Sequence, residues 1–402
     1  MKILVLNAGS SSIKYQLFEM PGQSVLLSGA VEKIGEEKSL IQHKIFRKDG
    51  SVETQQIQDV IPDHLASLRR IVNLLLDPEW GSIKSADDIT AVGHRVVHGG
   101  EKFSRPVIVT DAVMDELRKL SFLAPLHNPA NIKGIEVASE IFTHSIQVAV
   151  FDTAFHQTMP DYAYRFAIPE RFYRDNGLRA YGFHGTSHQF VTKEAARYLS
   201  ADLDQFNAIS IHLGNGCSIT AIKDGVSVDT SMGLTPLGGL IMGTRSGDID
   251  PSLIIFMAKH LDMSIDQIDQ LLNKESGLKG LTGDNDLRNI IQRYDEGESG
   301  ARLAISMYVY RIRQYIGAYM ATIGRVDALI FTAGVGENSA FIREKVCEGL
   351  ESLGIIQTKE LNEGNHSGIR NIESPESNVK ILVVPTNEEL EIAIQTLPFI
   401  EA

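Results

Sequence analysis

Two stretches about 200 residues apart are written to one plan: Leu6-Asn7-Ala8-Gly9-Ser10-Ser11-Ser12-Ile13-Lys14 and Leu213-Gly214-Asn215-Gly216-Cys217-Ser218-Ile219-Thr220. In each, an apolar run (Ile3 to Leu6; Ile209 to Leu213) enters a turn of Gly, Asn and Ser and leaves in alternation, Ile13-x-Tyr15-x-Leu17 and Ile219-x-Ala221. That is the pattern of a strand, a tight turn and a second strand, made twice. Gly and Asn tolerate positive φ and leave backbone N–H groups able to converge on an anion. Two such turns predict two related lobes that face a shared polyphosphate.

At 402 residues the chain exceeds one ordinary core, so two domains are expected. With 43% hydrophobic and 22% charged residues it has the profile of a soluble globular protein. A net charge of -13 argues against a nucleic-acid or anionic-membrane partner, which would reward a basic patch. An acidic protein that handles anions must place its cations deliberately, which singles out the arginines beside histidines and glycines. Two cysteines, Cys217 and Cys347, make neither a disulfide framework nor a CxxC zinc site, which suits a reducing compartment. The N-terminal apolar run is too short for a signal peptide, and no stretch approaches the roughly 20 apolar residues that span a bilayer. A cytoplasmic location is the expectation.

Residues 2 to about 57 alternate short β-rich runs with turns and predict an antiparallel meander. A helix over 62–76, a strand over 89–97, helices over 110–120 and 129–141, and a strand over 146–151 complete a first lobe of residues 1–150 plus about 386–402. The second lobe, 151–385, has a helix over 186–199 and strands over 208–213, 218–223 and 226–229, with a hairpin turn at Asp224-Gly225. A long helix over 300–323 and a buried strand over 328–332 follow. That strand enters a glycine turn, Gly334-Val335-Gly336-Glu337-Asn338, before a helix from 339. A strand over 380–384 and a helix opening on Glu388, Glu389 and Glu391 end the chain.

Taken alone, the 7–14 turn is either a phosphate site or a polar hairpin, and its repetition at 213–220 favours the phosphate site. The 334–338 turn suits an anion or an adenosine at a helix N-terminus. It lacks the third glycine of a dinucleotide fingerprint, and no GxxxxGK[ST] occurs, so Rossmann and P-loop readings both lose ground. Cations cluster in Gly93-His94-Arg95-Val96-Val97-His98-Gly99-Gly100, Leu126-His127-Asn128-Pro129, Tyr181-Gly182-Phe183-His184-Gly185-Thr186-Ser187-His188 and Gly243-Thr244-Arg245-Ser246-Gly247-Asp248. One histidine is usually structural. Four such clusters in glycine- or proline-bordered turns indicate close approach to a ligand. His184 and His188 stand at a helical i, i+4 spacing, but without an HExxH glutamate or a third ligand zinc is disfavoured. Asp152, at a strand end, reads equally as a helix cap and as a functional carboxylate.

Read together, these motifs resemble the acetate kinase family, in the family's order and from residue 3 to residue 389. The family belongs to the acetate and sugar kinase, Hsp70 and actin superfamily. The resemblance therefore implies an α/β fold of two duplicated actin-like, ribonuclease H-like lobes, each a mixed sheet flanked by helices, with a cleft between them. It implies reversible, direct in-line transfer of the ATP γ-phosphoryl group to acetate, giving acetyl phosphate and ADP. Magnesium, or manganese in its place, is the implied metal, and a homodimer the implied assembly.

By motif, the resemblance places Asn7 and Glu388 at the metal, Lys14 at the nucleotide phosphates and Arg95 on the substrate carboxylate. His184 and Arg245 become transition-state stabilisers and Asp152 the catalytic acid/base. His212, Leu213, Gly214, Asn215 and Gly216, the segment Asp286, Leu287 and Arg288, and Gly334, Val335, Gly336, Glu337 and Asn338 would contact ATP. The 281–288 segment is about a residue shorter than the family's usual form, which loosens the match for the adenosine contacts there.

Acetate titrates near the roughly 4.3 of a glutamate side chain, so it is already a nucleophilic anion at neutral pH and needs no base. The obstacle is the approach of two anions, which calls for cations and positioning. On that ground Asp152 should mainly orient Arg95 or metal-bound water, despite its family role. Val97, Leu126, His127, Phe183 and Pro236 match the substrate pocket, where a valine at 97 leaves less room than alanine and favours acetate. A propionate kinase is the nearest alternative, since one methylene in an apolar pocket is worth only about 1 to 3 kcal/mol. An actin- or Hsp70-like ATP-switched binding protein is the alternative from another class, but it has no use for Arg95, His127, His184 and Arg245 around an apolar pocket.

Overall fold

Strand β1 (Lys2–Ala8) buries Ile3 and Val5 on one face and Leu4 and Leu6 on the other, so it must lie inside a sheet covered on both sides. In the computed structural model, which describes residues 1–125, 127–364 and 367–401, it does. β2 (Ser12–Glu19), β3 (Ser24–Glu32), β4 (Ser39–Phe46) and β5 (Val52–Asp59) form the antiparallel meander. β6 (Ile89–Val96) and β8 (Ile146–Phe151) extend the sheet parallel to β1, and the two-residue β7 (Val107–Ile108) ends it antiparallel to β8. The order is β5-β4-β3-β2-β1-β6-β8-β7. Leu4, Leu6 and Ile13 pack under the helices His64–Leu75 and Asn128–Ile141. Ile3, Val5 and Val150 pack under Ile392 of the helix Glu388–Thr396.

A second sheet contains β9 (Ala208–Leu213), β10 (Cys217–Lys223), β11 (Val226–Thr230), β12 (Ala328–Thr332), β13 (Arg370–Asn371) and β14 (Lys380–Val383). Its order is β11-β10-β9-β12-β14-β13, with pairings antiparallel, antiparallel, parallel, parallel and antiparallel in turn. From β3 onward the first sheet, β3-β2-β1-β6-β8-β7, has the same succession. The repeated wording of the sequence is thus a repeated topology. The β10–β11 turn is closed by Asp224 and Gly225, both at positive φ (52° and 74°), as a two-residue hairpin turn demands. The chain divides into two compact units, residues 1–154 with 387 onward, and residues 155–386.

The sequence pattern marks no helix in 155–184 or 251–295, and the structure forms Asp161–Tyr164 and Arg171–Asn176 in the first and Pro251–His260, Ile265–Lys274, Gly277–Thr282 and Leu287–Asp295 in the second. The glycine turn at 334–338 is instead a short helix, Ala333–Asn338. Ala333 takes a left-handed φ of 64°, and the buried Arg343 guanidinium donates to the carbonyls of Gly336 and Glu337 at 2.9 Å, offsetting the low helix propensity of two glycines. No helix among the described residues is long and apolar enough to cross a membrane.

Candidate active site

In the first unit, pairing of β1 with β2 sets Asn7 opposite Lys14, and Gly9 N–H donates to Ser12 O at 2.8 Å to close the turn. Parallel pairing of β1 with β6 puts Leu6 beside His94, so Arg95 emerges next to Asn7. Asp152 follows directly on β8. Arg95 Nε donates to Asp152 Oδ1 and Oδ2 at 3.1 and 3.0 Å, Nη2 donates to Oδ2 at 2.5 Å, and Nη1 donates to Asn7 Oδ1 at 3.3 Å. Glu388, the first residue of its helix, places a carboxylate oxygen 3.8 Å from Arg95 Nε. The structure therefore brings Asn7, Arg95, Asp152 and Glu388 together, with Asp152 as a guanidinium partner.

Burial pushes the Glu388 carboxyl up to about 7; Arg95 opposes the rise, and the neighbouring Asp152 and Glu389 add to it. Such a group favours an added cation. Asn7 Oδ1 and Glu388 are hard oxygen donors, the kind that Mg²⁺ takes together with waters and substrate phosphates. No group of three His, Cys, Asp or Glu residues among the described residues could hold a metal alone, so these donors fit an ion that completes its shell elsewhere.

Two asparagines missed by the sequence reasoning support this end of the sheet. Asn131 accepts from Val97 N–H at 3.0 Å and donates to Ala8 O at 2.7 Å, tying the ends of β1 and β6 to one helix. Asn128 accepts from His98 N–H and donates to His98 O. Their i, i+3 spacing at a Pro-marked helix start was the available signal. Val97 is buried, and His127 immediately precedes that helix. Leu126 lies outside the described residues.

In the second unit, His184 sits at a left-handed φ of 55° just before the helix Gly185–Tyr198. Its ring stacks on His212, centroids 4.2 Å apart, and its Nδ1 lies 2.9 Å from Ser218 Oγ. His188, one helical turn on, has both ring nitrogens against serine hydroxyls, Ser210 at 2.8 Å and Ser218 at 2.7 Å, which accounts for it without a metal. Arg245 donates to Pro236 O at 3.1 Å, and no carboxylate among the described residues pairs with it. Burial holds its pKa below the usual arginine value, with Cys217 the one neighbour that opposes the shift. A Cβ built on Gly216 would stand 3.4 Å from His184 Nε2 and 3.5 Å from Arg245 Nη1, so a glycine keeps that space open between the imidazole and the guanidinium. Phe183 is buried beside them in sequence, and Pro236 is half-buried.

The same unit holds a cleft of about 700 Å³. Gly214, Asn215, Asp286, Leu287, Arg288, Gly334, Val335 and Asn338, eight of the residues that the family resemblance assigns to the nucleotide, line it. Leu278, Ile291 and Tyr308 add apolar walls that the sequence did not announce, because they come from three separate helices. Five expected contacts, His212, Leu213, Gly216, Gly336 and Glu337, are not in its lining. Leu213 is fully buried, and the Glu337 carboxylate accepts from Thr386 N–H at 3.0 Å. Asp286 caps the helix Leu287–Asp295 through Arg288 N–H and pairs with the Arg288 side chain, which holds its carboxyl down to about 2.

This arrangement has close relatives. The acetokinase family pattern matches residues 2–394. An acetate kinase from Helicobacter pylori is 53% identical over 395 residues, covering 98% of each chain. The crystal structure of Porphyromonas gingivalis acetate kinase superposes with a TM-score of 0.92 at 46% identity, covering 99% of each chain. A propionate kinase from Francisella tularensis gives 0.90 at 41%, covering 98% of each. With a match along nearly its whole length, this chain belongs to the acetokinase family.

Proposed function

We propose that this member of the acetokinase family, a phosphotransferase with a carboxyl-group acceptor, moves the γ-phosphoryl group of ATP reversibly to acetate, yielding acetyl phosphate and ADP by direct in-line transfer. The observation that carries the reading is Arg245: a largely buried guanidinium with no carboxylate partner among the described residues, beside His184 and an open glycine, is suited to an incoming anion. Arg95 differs. Asp152 holds its Nε and Nη2 edge and Asn7 accepts from Nη1, which fixes the orientation of its planar fork for a carboxylate.

In this reading Arg95 binds the acetate carboxylate, and Val97, His127, Phe183 and Pro236 are the acceptor-site residues that the family resemblance assigns. Arg245 and His184 donate to the equatorial oxygens as charge spreads over the phosphoryl group, and Asp152 keeps Arg95 aligned. The nucleotide occupies the cleft lined by Gly214, Asn215, 286–288, Gly334, Val335 and Asn338, and Lys14 serves its phosphates. Asn7 and Glu388 would hold Mg²⁺, which supplies charge neutralisation on the phosphates when bound. The chain works in the cytoplasm; it also works as a homodimer, and Leu303, Met307 and Tyr310, exposed at helical spacing on one helix, support that assembly. The likeness to a propionate kinase keeps propionate as a second, slower acceptor.

The test is to incubate the protein with ATP, Mg²⁺ and acetate and trap the product with hydroxylamine. Acetohydroxamate forms in proportion to ADP if the reading holds. ADP without hydroxamate, with any short carboxylate, would instead indicate an ATP-switched binding protein.

A further inference from the structure

Between the helix Gly185–Tyr198 and the second sheet lies a layer of buried polar side chains where an apolar interface would be ordinary. Ser187, His188, Ser210, Ser218 and Thr220 are wholly inaccessible, and His212 is nearly so. Strand register explains the layer. Ser218 lies directly across from His212, and Thr220 across from Ser210, so all four share one face of the β9–β10 pair. His188 enters that face from the helix and links two of the serines. Polar groups buried this deeply persist when each has a partner, and connected ones fix one another's orientation.

The connection runs Ser210 Oγ, His188 Nδ1 (2.8 Å), His188 Nε2, Ser218 Oγ (2.7 Å), His184 Nδ1 (2.9 Å). A serine hydroxyl has one proton to donate, and neutral imidazole donates from one nitrogen and accepts at the other. The neutral chain therefore has two proton arrangements, and they give His184 opposite tautomers. His188 remains neutral: burial, with His156 and His212 nearby, holds its pKa well below the ordinary histidine value. The far edge of the His184 ring, Nε2, borders the space over Gly216 that Arg245 Nη1 also borders. An anion there selects the arrangement in which Nε2 carries hydrogen. Ser210 then donates to His188 Nδ1, His188 Nε2–H donates to Ser218, and Ser218 donates to His184 Nδ1.

We propose that Ser218 and His188 are positioning residues that hold His184 with Nδ1 as acceptor and Nε2–H directed at the transferring phosphoryl group. The proposal rests on the reading of His184 given above. Its test combines ¹⁵N NMR of the imidazoles, with His184 assigned by its loss in His184→Gln, and steady-state kinetics with Mg-ATP and acetate. Wild type shows His184 protonated at Nε2. Ser218→Ala gives a mixture of tautomers, and kcat falls by about tenfold to a hundredfold while both KM values stay within about twofold, as for loss of an orienting partner. His188→Gln, which keeps a donor toward Ser218, retains more kcat than His188→Leu. A wild-type His184 protonated at Nδ1, or a Ser218→Ala enzyme with unchanged tautomer and kcat while His184→Gln is impaired, overturns the relay alone. Unchanged kcat in His184→Gln overturns the role of His184 itself.

Discussion

Asp152 holds Arg95 along one edge, taking Nε and Nη2 while Nη1 turns to Asn7. That geometry suits Asp152 to the orienting role proposed for it. Removing one member of a buried ion pair costs about 3 to 5 kcal/mol of interaction. Asp152→Asn should accordingly lower kcat/KM for acetate by about a hundredfold or more, keep the shape of the kcat pH profile, and weaken the apparent Mg²⁺ affinity. Loss of the acid-side limb of that profile, the signature of a general base, with Mg²⁺ affinity unchanged would assign Asp152 to proton transfer instead.

Glu388 makes the metal-free protein pH-sensitive. Its folded pKa, about 7, lies above the ordinary 4.5, so between these values the folded state binds more protons than the unfolded state. Its contribution to stability is full below about pH 4.5 and is lost as pH rises through 7. Glu388→Gln should flatten that segment of a Tm-against-pH curve. Mg²⁺ binding requires the ionised carboxylate, so apparent affinity should strengthen from pH 6 to pH 8 in the wild type and lose that slope in the variant, as isothermal titration would show.

Gly216→Ala tests the space between His184 and Arg245. Its backbone φ is not positive and the new Cβ makes ordinary contacts, so Tm should move by only a few degrees. The methyl group would occupy the position of an anion between the His184 imidazole and the Arg245 guanidinium, and kcat should fall by about a hundredfold, the scale of a 1 Å misplacement. Wild-type kcat in this variant would place the phosphoryl group elsewhere.

Much of this architecture was legible because the two hairpins repeat in wording, and because strands such as β12 and the helix Ser299–Ile323 carry strong patterns. What escaped notice lacked local signal. The two-residue strands β7 and β13 are too short to show a period, and only their neighbours define them. Ala333-Gly334-Val335-Gly336 reads as a turn by propensity, and Arg343, remote in the pattern, makes it a helix. Tyr308 reaches the cleft from the middle of a long helix, where an aromatic residue is indistinguishable from core. Arg95, Asp152 and Asn7 were individually visible. Their mutual geometry depends on the registers of β1, β6 and β8, which no single segment encodes.

Arg343→Met keeps bulk but removes the donor to the carbonyls of Gly336 and Asn362 and to the Asn362 side chain, while Glu337 O keeps Arg370 Nη2 at 3.1 Å. Each buried unsatisfied acceptor costs about 1 to 3 kcal/mol. The variant should lose several degrees of Tm and show a raised KM for ATP with KM for acetate little changed, because 334, 335 and 338 line the nucleotide cleft.

Val97→Ala should enlarge the acceptor pocket by two methyl groups and shift kcat/KM toward propionate by about tenfold, within the roughly 1 to 3 kcal/mol that one methylene is worth. Equal ratios in both proteins would remove Val97 from the pocket.

Steady-state kcat/KM for acetate, propionate and butyrate, measured side by side with ATP and Mg²⁺, bears most directly on the claim that a small carboxylate is the acceptor. The account predicts acyl phosphate from acetate most efficiently, propionate less so and butyrate least. A preference for propionate, or phosphoryl transfer to none of the three, would contradict it.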